Sequence, residues 1–248
     1  MKKIIFVSGA SSGMGVEFAL QASKESAILK QKNSSIPFAD EIWLLARRED
    51  KLFKTKSMIE NEAEKNGLSA FYPKAVCIPL DLTGSYGAKK VKKLFENEAK
   101  SDSFEIVLLI NNAGFGTYGE FYNTDVEREM EMIDLNCTSL TGITGFALPY
   151  MKKGDRIINT ASLASFLPLG NFAVYGACKA YVLSFTVALR AELKQKGIKV
   201  TALCPGPVST EFAAVASKGA RLKVKNGLSA QKTVAHCLKK SRKGRLYS

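Results

Sequence analysis

The chain has 248 residues, 46% hydrophobic and 24% charged, with mean hydropathy −0.03 and a formal net charge of +13. This is the composition of a folded globular protein and excludes a disordered, collagen-like or disulfide-built one. No apolar run approaches the roughly 20 residues that span a bilayer, and Ile4–Val7 is too short for a secretory leader, so a cytoplasmic protein with no membrane partner is expected.

Taken in order, Lys3–Ser8 reads as a buried strand and Gly13 to about Ser23 as a helix. Glu41–Ala46, Ala75–Leu80, Glu105–Asn111, Arg156–Thr160 and Lys199–Cys204 follow as five more strands. Helical patterns fill the gaps at about Glu49–Asn66, Ala88–Lys100, Asp125–Met151 and Val174–Lys196. The polar segment Ser26–Ala39 reads as a long connection on the side away from any ligand. Strands apolar on both faces and separated by helices predict a doubly wound parallel sheet, a Rossmann fold in one α/β domain over 1–248. Ligands are expected at the carboxyl ends of its strands.

The five cysteines, Cys77, Cys137, Cys178, Cys204 and Cys237, form no CxxC pair and are expected to be reduced. His236 is the only histidine, which excludes any two-histidine metal site and leaves acid–base chemistry to Tyr, Lys, Asp or Glu. No metal is expected. The positive charge is uneven, with ten lysines and arginines and no carboxylate after Glu211. No aromatic residues are interleaved with them, so the tail reads as a solvated helix face and chain end, with attraction of an anionic cofactor or substrate as the alternative. No nucleic-acid partner is expected.

Directly after the first strand comes Ser8-Gly9-Ala10-Ser11-Ser12-Gly13-Met14-Gly15. Gly9 permits a tight turn with positive φ, Gly13 a close approach to pyrophosphate, and Gly15 close packing of helix on sheet. The helix start then offers unpaired N–H groups to phosphate. Tyr175 and Lys179 stand four apart on one helix face, where an ammonium favours the phenolate. Lowering a phenol from a pKa of about 10 by about three units takes roughly 4 kcal/mol. Lys179 together with an oxidised nicotinamide is expected to supply it.

In these motifs the chain resembles the short-chain dehydrogenases/reductases, from Ile4 to about Thr210. The glycine loop is similar to their TGxxxGxG, with Ser8 in the Thr place; Asn111-Asn112-Ala113-Gly114 matches NNAG, Tyr175–Lys179 matches YxxxK, and Pro205–Thr210 matches PGxVxT. Asn136 and Ser162, the latter thirteen positions before Tyr175, fall at the family's intervals. The resemblance implies an oxidoreductase that interconverts a carbonyl compound and its alcohol. It makes Tyr175 the general acid/base, Ser162 the donor to the substrate oxygen, and Lys179 the residue that lowers the tyrosine pKa and binds the ribose. Asn136 is then the holder of a relay water. Ser165 competes with Ser162 at a shorter interval, and Cys178 reads as packing. The implied cofactor contacts are Gly9, Ser11, Ser12, Gly13, Met14, Gly15, Asp81, Leu82, Asn112, Ala113, Gly114, Tyr175, Lys179, Pro205, Gly206, Val208 and Thr210.

The second strand ends in Arg47-Arg48 where an enzyme using NAD carries a carboxylate, so both arginines are assigned to a 2′-phosphate and NADP(H) is the expected cofactor, with Arg47 favoured as the direct contact. Glu49 and Asp50 read as the start of the next helix. A substrate lid is expected at about 207–227, including Phe212, Ala213, Ala214, Val215 and Leu222. An apolar pocket for a small-molecule substrate is expected from Phe115, Tyr118, Phe121, Tyr122, Phe166, Leu167, Leu169 and Phe172, with core packing or a subunit interface as the equal alternative. The family's habit implies a homodimer or homotetramer through the helices of Asn136 and Tyr175. A dinucleotide sensor without catalysis and a methyltransferase are the competing readings. The set Asn136, Ser162, Tyr175 and Lys179 argues against the first, and YxxxK with the arginine pair against the second.

Overall fold

The computed structural model describes residues 1–220 and 226–248. Six strands, β1 (Lys2–Ser8), β2 (Glu41–Ala46), β3 (Lys74–Pro79), β4 (Phe104–Asn111), β5 (Arg156–Thr160) and β6 (Lys199–Leu203), form one parallel sheet in the order β3-β2-β1-β4-β5-β6. This is the expected doubly wound α/β arrangement. Helices α1 (Gly13–Gln31), α2 (Glu49–Lys65) and α8 (Ala230–Arg242) cover one face. On the other lie α3 (Gly84–Ser101), α5 (Leu140–Ala147) and α6 (Ala173–Leu193). Beyond β6, the amide of Ala202 donates to the Leu246 carbonyl and that of Ser248 to the Ala202 carbonyl, so the chain end lies along the sheet edge.

Period-2 alternation splits β1 between two cores. Ile5 and Val7 pack with Phe18 of α1 and Val234 of α8, whereas Ile4 and Phe6 pack with Phe95 of α3 and Leu189 of α6. The register of β1 on β4 slips between Ile4 and Ile5, so Val107 and Leu108 both face the first core. At the centre of the second core Phe95 meets Phe6 edge-on, with ring centroids 5.7 Å apart.

Three expected boundaries move. The first helix, expected to end near Ser23, runs on to Gln31, because Ser23 and Ser26 turn inward and Ala22, Ala27 and Leu29 continue the buried stripe. Six of the fourteen residues of the expected connection are therefore helix, and Ser26 Oγ accepts the Ala39 amide at 2.7 Å to close the rest against it. The third helix begins at Gly84, ahead of Ala88. The stretch expected as one helix over Asp125–Met151 is α4 (Val126–Ile133), a π-helical turn (Asp134–Ser139), α5 and a 3₁₀ turn (Leu148–Tyr150). Asp125 caps α4 by accepting the Glu127 amide at 3.1 Å. Within the expected lid lies α7 (Phe212–Ala216), and Leu228 bonds back to Pro207 and Ser209 at its base. Leu222, with Arg221, Lys223 and Lys225 of the basic tail, lies outside the described residues.

At the amino end of the sheet, remote from the site, Asp155 is fully buried and accepts the Lys152 amide at 2.6 Å. Burial, with the Glu105 carboxylate beside it, pushes its pKa up to about 7 from 3.8. The folded chain therefore holds a proton in that window that the unfolded chain has lost, and stability falls as pH rises through it. Asp155→Asn keeps the acceptor for Lys152 and removes the charge. Thermal unfolding is expected to show the variant more stable at pH 8, by up to about 4 kcal/mol, and little different at pH 4.

Candidate active site

The carboxyl ends of the strands open onto a cleft of about 1010 Å³. Every residue assigned to the site from sequence lines it except Gly15 and Asn136, which sit behind its wall. Gly9 takes φ +72°, and a Cβ on Gly15 would collide with the Gly9 carbonyl, so loop and helix can meet this closely only with glycine there. Ser12, at the N-cap of α1, makes no side-chain capping bond. The first amides of that helix thus face the cleft without a competing side chain, which fits a pyrophosphate. Ser8 joins the loop to the NNAG segment, donating to the Ile110 carbonyl at 3.3 Å and accepting the amides of Asn112 and Ala113 at 3.0 and 3.1 Å.

Tyr175 and Lys179 stand on successive turns of α6, with Lys179 Nζ 5.7 Å from the tyrosine ring centre. The Tyr175 hydroxyl shares a hydrogen bond with Ser162 at the end of β5. Burial pushes this phenol up to about 12, the Ser162 bond pulling only partly the other way. The lowering expected from Lys179 is therefore not supplied by the chain alone. The ammonium is turned to the Thr160 carbonyl, to which it donates at 2.7 Å, and burial lowers its own pKa to about 8.

Ser162 and Ser165, which compete on sequence, have different surroundings. Ser165 Oγ donates to the Lys179 carbonyl at 2.7 Å and accepts the Ser162 amide, so it fastens β5 to α6. Ser162 Oγ accepts the Ala164 amide at 3.1 Å and meets Tyr175. Asn136, in the π-helical turn, donates to the Phe115 carbonyl at 2.9 Å and accepts the Phe115 amide at 3.1 Å. Its amide thus clamps the NNAG loop. π turns recur where a side chain must be set out of helical phase. Cys178 is buried, and the Cys137 thiol beside it and burial push its own thiol up, so it packs and is not a nucleophile. His236 is exposed on α8, outside the cleft lining.

Sequence reasoning missed a buried polar chain under the site. Asn111 Nδ2 donates to Thr144 Oγ1 and Asn159 Oδ1, each at 2.9 Å, and Asn159 Nδ2 donates to Thr186 Oγ1 at 3.0 Å. It ties β4 and β5 to α5 and α6 and so fixes the helix that carries Tyr175.

At the far end of the cleft, Arg47 lies near Asp81. Burial raises that carboxyl, but the Thr83 hydrogen bonds and the Arg47 and Lys90 charges bring it below the usual carboxylate range. Arg48 Nη2 approaches Ser11 Oγ of the glycine loop at 3.4 Å, and Lys51, one turn further along α2, lies beside Arg48 on the Glu211 carboxylate. Sequence reasoning missed Lys51, although its position three after Arg48 on an expected helix was the available signal. Three basic residues at this end fit a nucleotide 2′-phosphate.

The apolar wall is smaller than expected. Phe115, Tyr118, Leu169 and Phe172 line the cleft, with Leu163 and Phe212. Phe166 instead packs on Tyr247, with ring centroids 6.4 Å apart, Leu167 is exposed, and Tyr122 is exposed and bonded to Glu120. Phe121 faces a separate apolar groove between α3, the π turn and α6. Alternation alone does not tell a residue on a loop's outer side from one on its inner side. Among the described residues no helix is long and apolar enough to cross a membrane, and no cluster of metal-binding side chains occurs.

A family model described as short chain dehydrogenase matches residues 3–221. An uncharacterized oxidoreductase of Staphylococcus epidermidis is 29% identical over 228 residues, 90% of this chain and 85% of that protein. The 11-beta-hydroxysteroid dehydrogenase-like 3 of Arabidopsis thaliana is 31% identical over 215 residues, 85% of this chain and 60% of that protein. Among solved structures, a short-chain dehydrogenase from Sphingobium yanoikuyae in complex with NADPH is 25% identical and superposes with a TM-score of 0.76, covering all of this chain and 87% of that one. A match that runs through the glycine loop, the NNAG turn and YxxxK, on a sheet of this order, makes the chain a member of the short-chain dehydrogenase family and an oxidoreductase.

Proposed function

We propose that the protein reduces an apolar carbonyl compound to its alcohol at the expense of NADPH, and catalyses the reverse oxidation. The observation that carries this reading is that Ser162, Tyr175 and Lys179 share one cleft with the glycine loop, Arg47 and Arg48, with Lys51 held at its edge by Glu211. When bound, a reduced nicotinamide would supply the hydride that the carbonyl carbon takes up, leaving as the oxidised form. Tyr175 gives its proton to the carbonyl oxygen, a task suited to a phenol held protonated by burial. Ser162 donates to the same oxygen as charge develops on it. Lys179 holds the nicotinamide ribose and, with it, orients Tyr175. Asn136 keeps the NNAG loop in place against that ribose, which is a positioning role beside the relay role the resemblance implies. Arg48, Lys51 and Arg47 bind the 2′-phosphate, and Asp81 and Leu82 border the adenine.

Phe115, Tyr118, Leu169, Phe172 and Phe212 exclude water from the reacting carbon and favour an apolar ketone or aldehyde. The groove of Ile133, Cys137, Ala177 and Tyr181 supports association with a second copy of the chain. In assays following nucleotide absorbance over a panel of ketones and aldehydes, NADPH is expected to exceed NADH by about 10- to 100-fold in kcat/KM, the worth of one or two charge-assisted hydrogen bonds. Equal rates with the two nucleotides would remove the arginines from the reading.

A further inference from the structure

The cations at the end of the cleft already hold an anion. Glu211, the residue before α7, reaches them from the opposite wall. Its Oε2 accepts from Arg48 Nη1 at 3.0 Å and Nη2 at 3.1 Å, and its Oε1 accepts from Lys51 Nζ at 2.7 Å. Arg48 Nη2 also stands 3.4 Å from Ser11 Oγ. Two cations thus converge on one carboxylate in the geometry they would offer to phosphate oxygens, and the loop hydroxyl of Ser11 accepts from one of them. The next residue, Phe212, sets its ring 5.3 Å from that of Tyr175. One short segment therefore touches both the basic end of the cleft and its reacting end.

We infer that Glu211 is an internal counter-anion in the 2′-phosphate seat, which the nucleotide phosphate must displace, so that filling the seat releases the segment carrying Phe212. This rests on the NADP(H) reading above. Both carboxylate oxygens are taken up by the cations a phosphate needs, so the two anions compete for one set of donors. Glu211 is then an affinity-setting residue that touches no reacting atom, and Lys51 is a phosphate ligand.

Calorimetric titration with adenosine 2′,5′-bisphosphate and with 5′-AMP tests this without turnover. Wild-type protein is expected to bind the bisphosphate more tightly. Glu211→Gln, which removes the competing charge at an exposed position, should tighten the bisphosphate about threefold to tenfold and leave 5′-AMP unchanged. Lys51→Met should weaken the bisphosphate alone. Tryptic cleavage after Lys218 should speed up with the bisphosphate but not with 5′-AMP, and be fast from the outset in Glu211→Gln. A wild type that binds both ligands alike refutes the NADP(H) reading and this inference with it. A wild type that prefers the bisphosphate, beside a Glu211→Gln variant that binds it no better, refutes the inference alone. Cleavage unaltered by the bisphosphate overturns the release of the segment.

Discussion

Replacement of Tyr175 by Phe is expected to lower turnover about 10³-fold, the ordinary worth of a positioned acid, while nucleotide binding stays within twofold of wild type. The substitution keeps the ring and its contacts with Phe172 and Phe212, at centroid distances of 5.5 and 5.3 Å, so the fold has no reason to change. Only the hydroxyl that meets Ser162 is lost. Steady-state assay beside a nucleotide titration separates loss of chemistry from loss of binding, and unaltered turnover would remove the phenol from the mechanism. Because burial holds this phenol near pKa 12, it stays protonated at neutral pH. On the proposed reading the phenol is thus already in the form that gives a proton to a carbonyl oxygen, and the reverse oxidation would call on the positive charge of a bound oxidised nicotinamide to lower its pKa.

Lys179→Met should separate stability from activity. The ammonium is buried at the floor of the cleft, and burial lowers its pKa to about 8 from 10.5. Between those values the unfolded chain binds a proton that the folded chain does not, so stability rises with pH there and is reduced by the cost of burial below it. Removing the charge recovers about 3 kcal/mol at pH 7. Leaving the Thr160 carbonyl without its donor costs about 1 kcal/mol. The variant is expected to be about 2 kcal/mol more stable than wild type and at least about 10²-fold slower, with the inflection near pH 8 gone from its kcat/KM profile. Denaturant unfolding and a pH–rate series on the same preparation check both. A destabilised variant would show that the ammonium supports the fold rather than burdening it.

Most of the sheet was legible because parallel strands covered on both faces are apolar throughout, and β2 and β5 fall on the predicted residues. Boundaries failed where a polar residue faced inward, as Ser23 and Ser26 do in α1. They failed again where Asn136 bends the central helix to reach Phe115, a contact twenty-one residues away in sequence. The pocket was half legible. Phe115 and Phe172 face the cleft while Phe166 and Tyr122 do not, because loop residues have no period to tell their two sides apart.

Short-range order settled what depends on short range. The glycine spacing after β1, the interval from Tyr175 to Lys179 and the arginine pair closing β2 act within one turn of chain, so they can be read along it. Which groups meet across the fold was decided by packing alone. Arg48 finds Glu211 163 residues away, and Asn111 finds Asn159 48 residues away, because parallel strands deliver distant loops to one edge of the sheet. Polar partners brought together in this way leave no periodic trace in the order of residues.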